Sequence, residues 1–204
     1  MHYKTYTTYN DYVKHQSEKL DISVKKTKDW NEAIKPVITR EKENFRKEFA
    51  PLSLLLTSGN AILCLGARLG MEVAVFRELG FPGLIGIDIN PDKSIEHGLV
   101  VYGDFHDLKY DTGTFANVYT NTIDHCLNLD KVLEEATRVL APGGKLIVRC
   151  GKENKTGGAF ESCYWENLEE VITIATKHNL TLIYNKSCTA WDGNQASLVF
   201  TSKE

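Results

Sequence analysis

From residue 61 onward, short apolar runs alternate with longer segments that have helical periodicity. The apolar runs lie at residues 61–65, 84–88, 99–102, 115–120 and 145–150. Runs of this length, bounded by turn residues, are typical of buried strands. Because helical segments separate most of them, the pattern predicts an α/β fold built on a parallel sheet.

The helical segments are recognised from the spacing of their apolar positions. We predict helices over residues 70–79, after Pro91, over 129–140 and over 164–179. The helix over 129–140 ends where residues 141–144 read Ala-Pro-Gly-Gly, a sequence that stops a helix. The last two apolar runs, 181–186 and 196–201, have no helix between them. Their direct succession predicts an antiparallel pair at the end of the chain.

The N-terminal 60 residues have a different character. Residues 1–50 are polar, contain no glycine and carry amphipathic helical patterns. The tyrosines at positions 3, 6, 9 and 12 are spaced to lie near one face of a helix. Asn10 or Asp11 is a candidate N-cap for a helix that runs to about Leu20, with Val13, Gln16 and Leu20 facing inward. A second helix is predicted over 28–49, interrupted near Pro36.

We therefore divide the chain into an N-terminal helical cap, residues 1–60, and a second domain, residues 61–204. Two interpretations of the cap stay open. Its helices cover the edge of the sheet, or they form a lid over an active site in which Tyr9 or Tyr12 contacts a substrate. Four tyrosines with polar tips suit a ligand contact as well as burial.

Composition narrows the classes of partner. With 24 Lys and Arg against 27 Asp and Glu, the 204-residue chain has a formal charge of −3, which argues against a nucleic-acid clamp. No apolar run is long enough to span a bilayer, and the N-terminus lacks the apolar segment of a secretion signal. The five cysteines form no CxxC pair, so neither a disulfide framework nor a zinc site is expected. We expect a cytoplasmic protein without nucleic-acid or membrane partners and without a metal.

Candidate ligand-binding residues follow three of the predicted strands. The first run leads into a loop bounded by Gly66 and Gly70, where a ligand can approach the backbone and a helix N-terminus can face an anionic group. Asp88 ends the second run, where an acid can accept hydrogen bonds from ribose hydroxyls. Its alternative role is to cap the helix after Pro91, but Asn90 suits that role better. The third run is followed by Tyr-Gly-Asp-Phe-His at 102–106, which offers an acid and an aromatic ring to a base.

These elements fit either a dinucleotide-binding or an S-adenosylmethionine-binding fold. The loop reads Gly-x-x-x-Gly, with Arg68 in the middle, and the chain ends in a pair of strands. The run Arg-Val-Leu-Ala-Pro-Gly-Gly-Lys-Leu at 138–146 closely resembles the motif that follows the catalytic segment of class I S-adenosylmethionine-dependent methyltransferases. The order of the other motifs matches too, so the resemblance extends over residues 61–204.

The resemblance implies a Rossmann-like, seven-stranded, mostly parallel sheet with an antiparallel last strand and helices on both faces. It implies S-adenosylmethionine as cofactor and S-adenosylhomocysteine as product. The cofactor-binding residues that it implies are Gly66, Ala67, Arg68, Gly70, Asp88, Ile89, Gly103, Asp104, Phe105 and Asn121. Two positions depart from the family pattern, because Cys64 replaces the acid of the first strand and Arg68 replaces the middle glycine. Glu72 is a candidate to replace the missing acid, although capping the following helix is its simpler role.

The resemblance also implies that residues 121–125 face the methyl group and the acceptor. His125 is the leading candidate for a base, since methyl transfer to a hydroxyl requires removal of its proton and histidine titrates near neutral pH. Asp124 would orient His125 or replace it. The alternatives are that Asp124 caps the helix near Asn128 and that His125 packs in a loop.

The remaining substrate candidates are aromatic or imidazole side chains. Besides Tyr9 and Tyr12, they are His106, Tyr164 and Trp165. Core packing is the alternative use of the last two.

Three functions stay open at this level. The first is transfer of a methyl group to a small-molecule acceptor, most plausibly at oxygen, by a monomer or a homodimer. The second is methylation of a protein or another macromolecule. The Asn/Asp-Pro-Pro-aromatic motif of amino-group methylation is absent after the fourth run, where residues 120–123 read Thr-Asn-Thr-Ile. The third is a relative that binds the cofactor without methylating and acts as a partner subunit.

Overall fold

The structure is a computed structural model that describes residues 1–24, 30–56, 61–81, 83–91, 98–188 and 193–203. It describes no side chains between 20 and 34. Three predictions lie outside the described residues: the inward orientation of Leu20, the start of a helix at 28 and the helix after Pro91.

The described residues form nine strands and five α-helices. The strands are β1 His2–Tyr3, β2 Ile62–Leu65, β3 Leu84–Asp88, β4 Val100–Tyr102, β5 Phe115–Thr120, β6 Leu140–Gly151, β7 Cys163–Tyr164, β8 Leu180–Cys188 and β9 Gln195–Ser202. The helices are α1 Tyr9–Val24, α2 Trp30–Leu52, α3 Met71–Glu78, α4 Leu129–Val139 and α5 Leu168–Lys177.

Seven strands form the central sheet in the order β4-β3-β2-β5-β6-β9-β8. The pairs from β4 to β6 are parallel, whereas β9 is antiparallel to both β6 and β8. The predicted seven-stranded, mostly parallel sheet with a reversed last strand is therefore confirmed. No helix among the described residues is both long enough and apolar enough to cross a membrane.

Helices cover both faces of this sheet, as predicted, because successive side chains of a buried strand point to opposite faces. In β2, Leu63 and Leu65 pack towards α4 and α5, and Ile62 and Cys64 pack towards α2 and α3. Helix α4 presents an apolar stripe to the sheet, and the side chain of Asn128 caps it by accepting the N–H of Lys131. The two apolar faces of the sheet thus each have a helical layer.

Aromatic ring contacts and a buried ion pair hold helix α2 against the sheet. The ring of Phe49 stacks on Phe76 at 4.1 Å and meets Tyr119 edge-on at 4.8 Å. A carboxylate oxygen of Glu48 lies 3.3 Å from Nε of Arg149, and both side chains are buried. Such a pair, removed from water, depends on both partners being present. Helix α2 therefore packs on a face of the sheet and belongs to the same core.

The N-terminal tyrosines do not share one helix face. Tyr3 lies in β1 and Tyr6 in the following turn, so that only Tyr9 and Tyr12 are on α1. The helix begins after Thr8, whose hydroxyl accepts the N–H of Asp11 while the Asp11 carboxylate accepts the N–H of Thr8. This reciprocal arrangement satisfies backbone donors at the helix start, and it makes Thr8 the cap in place of Asn10 or Asp11.

The predicted helix over 164–179 is shorter than expected. Cys163 and Tyr164 form β7, which pairs with β1, and α5 begins only after Asn167, whose side chain accepts the N–H of Glu169. The pairing with the N-terminus holds Tyr164 in an extended conformation. The helix can then start only beyond the capping residue.

Removing the carboxylate of Glu48 is expected to destabilise the fold strongly. In Glu48→Ala the Arg149 guanidinium loses the carboxylate that offsets its burial, and the expected loss in the free energy of unfolding is about 3–5 kcal/mol. Urea denaturation followed by circular dichroism measures this loss. Glu43→Ala, which breaks exposed ion pairs to Arg46 and Lys47 on the same helix, should cost at most about 1 kcal/mol. Equal losses in the two variants would contradict the role assigned to Glu48.

Candidate functional site

A cavity of about 360 Å³ lies at the carboxyl ends of β2, β3 and β5. Ligands of open α/β sheets bind in this position, outside the carboxyl ends of the strands. The floor of the cavity is formed by the loops that follow the strands, and α1 and α2 form its outer wall. The predicted site residues that line it are Tyr12, Gly66, Ala67, Arg68, Asp88, Ile89, Phe105, Asn121 and His125.

The loop after β2 needs its glycine. Gly66 has a φ of +70°, and a Cβ at this position would lie 2.2 Å from the hydroxyl oxygen of Thr122. A side chain is therefore excluded both by the backbone conformation and by the neighbouring loop. Gly70 also has a positive φ and stands directly before the start of α3. The loop between them passes close to the cavity, and Arg68 adopts a φ of +26° there.

Asp88 joins two of these loops. The side chain is buried, Oδ2 accepts the N–H of Arg68 at 3.1 Å, and Oδ1 accepts the N–H of Asn90 at 2.7 Å. Asp88 therefore has a structural role in joining these loops, and the side chain of Asn90, the preferred capping candidate, instead accepts a hydrogen bond from Ser17. A carboxylate offers about four acceptor positions, so Asp88 keeps capacity for ligand hydroxyls.

The loop after β4 binds to the cap. One oxygen of Asp104 accepts the hydroxyl of Tyr9 at 2.5 Å, and the other accepts the backbone N–H and Nδ1–H of His106, each at 2.8 Å. Burial raises the pKa of Asp104, but these hydrogen bonds outweigh it and hold the pKa below the ordinary value. Nε2 of His106 accepts the N–H of Leu127. His106, Asp104, Tyr9 and Gly103 thus surround the cavity without lining it, whereas Phe105 lines it.

The 3-10 turn Ile123–His125 follows β5 and presents His125 to the cavity. Nδ1 of His125 donates to the carbonyl of Phe160 at 3.0 Å, which leaves Nε2 as the acceptor for Nζ of Lys19 at 2.8 Å. Burial lowers the pKa of His125, Asp124 opposes this shift, and the neighbouring Lys19 adds to it. The imidazole is therefore neutral and held in one orientation by two different segments of the chain.

Asp124 stands beside this imidazole. Its Oδ1 is 3.8 Å from Nε2 of His125 and, among the described residues, has no hydrogen-bond partner. It does not cap α4, since Asn128 supplies that cap itself. Asp124 is not among the residues that line the cavity, so its position suits an influence on His125.

The two aromatic residues at 164 and 165 lie away from the cavity. Tyr164 stacks on His2 across the β1–β7 pair, and Trp165 is fully buried with its N–H donated to the carbonyl of Gly151. Neither lines the cavity, and the contacts of Trp165 match the core-packing alternative.

Most residues that form the outer wall of the cavity were not identified from the sequence. The cavity residues that it did not assign to the site are Gln16, Lys19, Val37, Glu41, Phe45, Leu69, Met71 and Arg149. A usable signal was present in α1, where Tyr12, Gln16 and Lys19 follow the i, i+4, i+7 spacing of one helix face. For α2, Val37, Glu41 and Phe45 repeat every four residues, but nothing in that pattern indicates what the face covers.

Glu72 lies in the first turn of α3, buried and lining the cavity. Burial raises its pKa to about 8, the carboxylates of Asp88 and Glu48 add to the shift, and Arg149 partly offsets it. A carboxyl group with a raised pKa inside a cleft marks a candidate ligand site. Its place in the cavity fits the suggestion that it replaces the acid missing at Cys64.

The fold and this crevice define an α/β domain that binds a nucleoside-containing cofactor. Residues 63–148 match the family described as the methyltransferase domain. Together with the sheet order, this match supports the class I, S-adenosylmethionine-dependent methyltransferase domain that the resemblance implied. S-adenosylmethionine is accordingly the cofactor of the domain, and Glu72, Asp88 and Phe105 line the cavity. No curated protein matches the chain.

Solved structures show the same fold at low identity. A methyltransferase in complex with the Haloferax volcanii Trm112 methyltransferase activator is 15% identical, with a TM-score of 0.69, over 87% of this chain and 100% of that chain. The PH0226 protein from Pyrococcus horikoshii OT3 is 21% identical, with a TM-score of 0.63, over 76% and 88%. A SAM-dependent methyltransferase from Thermotoga maritima is 17% identical, with a TM-score of 0.62, over 78% and 89%.

The raised pKa of Glu72 predicts a pH-dependent cost to stability. An acid whose pKa rises from 4.5 to about 8 on folding binds more protons in the folded state, so the folded state loses stability as the pH increases between these values. Glu72→Gln is neutral throughout, and its melting temperature should rise above that of the wild type as the pH increases from about 5 to about 9.

Thermal unfolding across this pH range checks the expectation. Glu78→Gln on the same helix is the control of opposite sign, because hydrogen bonding to Lys42 lowers the pKa of Glu78. That variant should never be more stable than the wild type in this range. A pH-independent difference for Glu72→Gln would contradict the assignment.

Proposed function

We propose that this protein transfers a methyl group from S-adenosylmethionine to an oxygen atom of a small-molecule acceptor. The observation that carries the proposal is the cavity at the carboxyl ends of the strands, whose floor is made by the loops after β2, β3 and β5 and whose wall includes His125. S-adenosylmethionine supplies a methyl group on a sulfonium, which leaves readily. The protein must then position the acceptor in line with it and exclude water.

In this proposal, different described residues hold different parts of S-adenosylmethionine. Asp88 receives the ribose hydroxyls, Phe105 lies beside the adenine ring, and the loop from Gly66 to Gly70 lets the methionine portion approach the backbone. Glu72 receives the amino group, because a buried carboxyl gains most from a cation. In this arrangement the acceptor lies between the methionine portion and α1.

His125 is the residue that we assign to the acceptor. It lines the cavity, and its Nε2 carries the lone pair because Nδ1 donates to Phe160. For a hydroxyl acceptor, this nitrogen is the atom that would receive the proton. Asp124 then acts through His125 as a positioning residue.

A small acceptor is favoured by how the cap closes over the site. Helix α1 forms hydrogen bonds to the loop after each of β2, β3, β4 and β5. These bonds join Arg68 to Gln16, Asn90 to Ser17, Asp104 to Tyr9 and His125 to Lys19. A macromolecular acceptor would have to enter past this helix, which is why we place protein and nucleic-acid acceptors second.

The third alternative is a subunit that binds cofactor without methylating. One similar structure is a methyltransferase held by an activator protein, so a protein partner is compatible with this fold. The presence of His125 on the cavity wall favours an enzyme, because an imidazole at this position can hold or move a proton of an acceptor.

Asp88→Asn tests the cofactor part of the proposal. Wild-type protein should bind S-adenosylhomocysteine with micromolar affinity in isothermal titration, and the variant should weaken it by at least about tenfold, equivalent to roughly 1.4 kcal/mol. The amide still accepts one backbone N–H, and unchanged thermal unfolding would show that the loops persist. Asp107→Asn, at an exposed acid in the loop after β4, is the control with unchanged affinity. Absence of binding by the wild type would defeat the proposal.

His125→Ala tests the acceptor part. Methyl transfer from radiolabelled S-adenosylmethionine to a panel of small acids, alcohols and amines should fall by roughly 10²-fold, while affinity for S-adenosylhomocysteine stays as in the wild type. His178→Ala removes a histidine at the end of α5 that does not line the cavity and should leave the rate unchanged. Full activity in His125→Ala would remove this residue from the mechanism.

A further inference from the structure

A lysine from the cap reaches into the acceptor side of the cavity. Lys19 lies on α1, its side chain is half-buried, and it lines the cavity together with His125. Placing an ammonium in a partly desolvated cleft costs free energy unless opposite charge faces it. Burial lowers the pKa of Lys19, and the nearby Arg68 lowers it further.

Three carboxylates act on this ammonium in the opposite sense. Asp124, Glu161 and Asp88 all raise the pKa of Lys19, but the shift caused by burial exceeds theirs. Of the three, only Asp88 lines the cavity, and its oxygens already accept two backbone N–H groups. Lys19 thus brings an amine to the cavity, with Asp124, Glu161 and Asp88 as its acidic neighbours.

The hydrogen bond from Lys19 to His125 limits the kind of methyl acceptor that the cavity suits. Lys19 donates to Nε2 of His125 at 2.8 Å, so the imidazole lone pair is already in use. An acceptor that must give up a proton would have to displace Lys19 from this nitrogen. An acceptor that arrives as an anion needs no base, and it would find an ammonium held in place by the imidazole.

Apolar side chains also line the cavity. Val37 and Phe45 of α2, Met71 of α3 and the buried ring of Tyr12 contribute them, in a lining that also includes Glu41, Glu72 and Arg149. Ligand sites of this kind combine apolar walls with a few polar groups that fix orientation. Apolar surface together with the cation of Lys19 matches an apolar skeleton that carries one negative charge.

We propose that Lys19 determines acceptor specificity, by binding the carboxylate of an apolar carboxylic acid and holding one of its oxygens for methylation. This inference rests on the proposed methyl transfer and adds the chemical class of the acceptor. A bond forms between the carboxylate oxygen and the methyl carbon while the carbon–sulfur bond breaks, and its electron pair stays on sulfur. The products are a methyl ester and S-adenosylhomocysteine, and no proton is transferred. His125 is then a positioning residue that orients Lys19.

Binding to the product-loaded protein tests this proposal independently of turnover. Protein saturated with S-adenosylhomocysteine is titrated with butyrate, benzoate and octanoate, and with the alcohol and the amine of each skeleton. In at least one skeleton the carboxylate should bind about tenfold more tightly than its alcohol and its amine. Mass spectrometry of reactions with S-adenosylmethionine should detect the methyl ester of that acid.

Variants at position 19 distinguish a role of the positive charge of Lys19 from a purely structural role of its side chain. Lys19→Met should remove the preference for carboxylate and leave the affinity for S-adenosylhomocysteine unchanged, and Lys19→Arg should retain most of the preference because it keeps the cation. Lys14→Met, at an exposed lysine on the same helix, is the matched control with wild-type behaviour.

The outcomes that overturn the proposal are distinct. A preference for alcohols or amines, the lack of any preference in all three skeletons, or a preference that survives in Lys19→Met would each refute it. Loss of S-adenosylhomocysteine binding in Lys19→Met would assign the lysine to the cofactor instead. Failure of the wild type to bind S-adenosylhomocysteine would defeat the proposed function itself, whereas cofactor binding without carboxylate preference would defeat only this inference.

Discussion

One buried carboxylate holds the site together. Asp88 accepts the backbone N–H groups of Arg68 and Asn90, so the loops after β2 and β3 share a single anchor. A carboxylate can be buried because hydrogen bonds replace its lost hydration. The same group faces the cavity with acceptor capacity left. The loop geometry and the proposed recognition of the ligand thus depend on one side chain.

Helix α1 adds a second layer of connection. It is hydrogen-bonded to each of the four loops at the carboxyl ends of β2 to β5, and Gln16 also donates to the carbonyl of Phe160 and to Ser162. Because Phe160 in turn accepts the Nδ1–H of His125, the helix acts on His125 directly through Lys19 and indirectly through this loop. The proposed cofactor and acceptor sides of the cavity therefore have one wall in common.

Much of this framework could be predicted from local patterns. The strands of the central sheet lie at the predicted runs because short apolar runs between turn residues have few other uses, although β6 begins at Leu140, before its run. The glycine at 66 stands where backbone and neighbouring loop both exclude a side chain. The paired strands β1 and β7 could not be predicted, since two residues carry no periodicity. Their pairing also explains why the helix after Trp165 begins later than expected.

The sequence by itself determined the order along the chain of the strands of the central sheet, the reversed last strand and the glycine loop after β2, because each depends on residues adjacent in the chain. Only the tertiary structure decided which side chains of α1 enter the cavity and which nitrogen of His125 carries the lone pair. The bond between Lys19 and His125 joins positions 106 residues apart. A contact over that distance leaves no trace in local periodicity, because it exists only after the helix has packed across the ends of the strands.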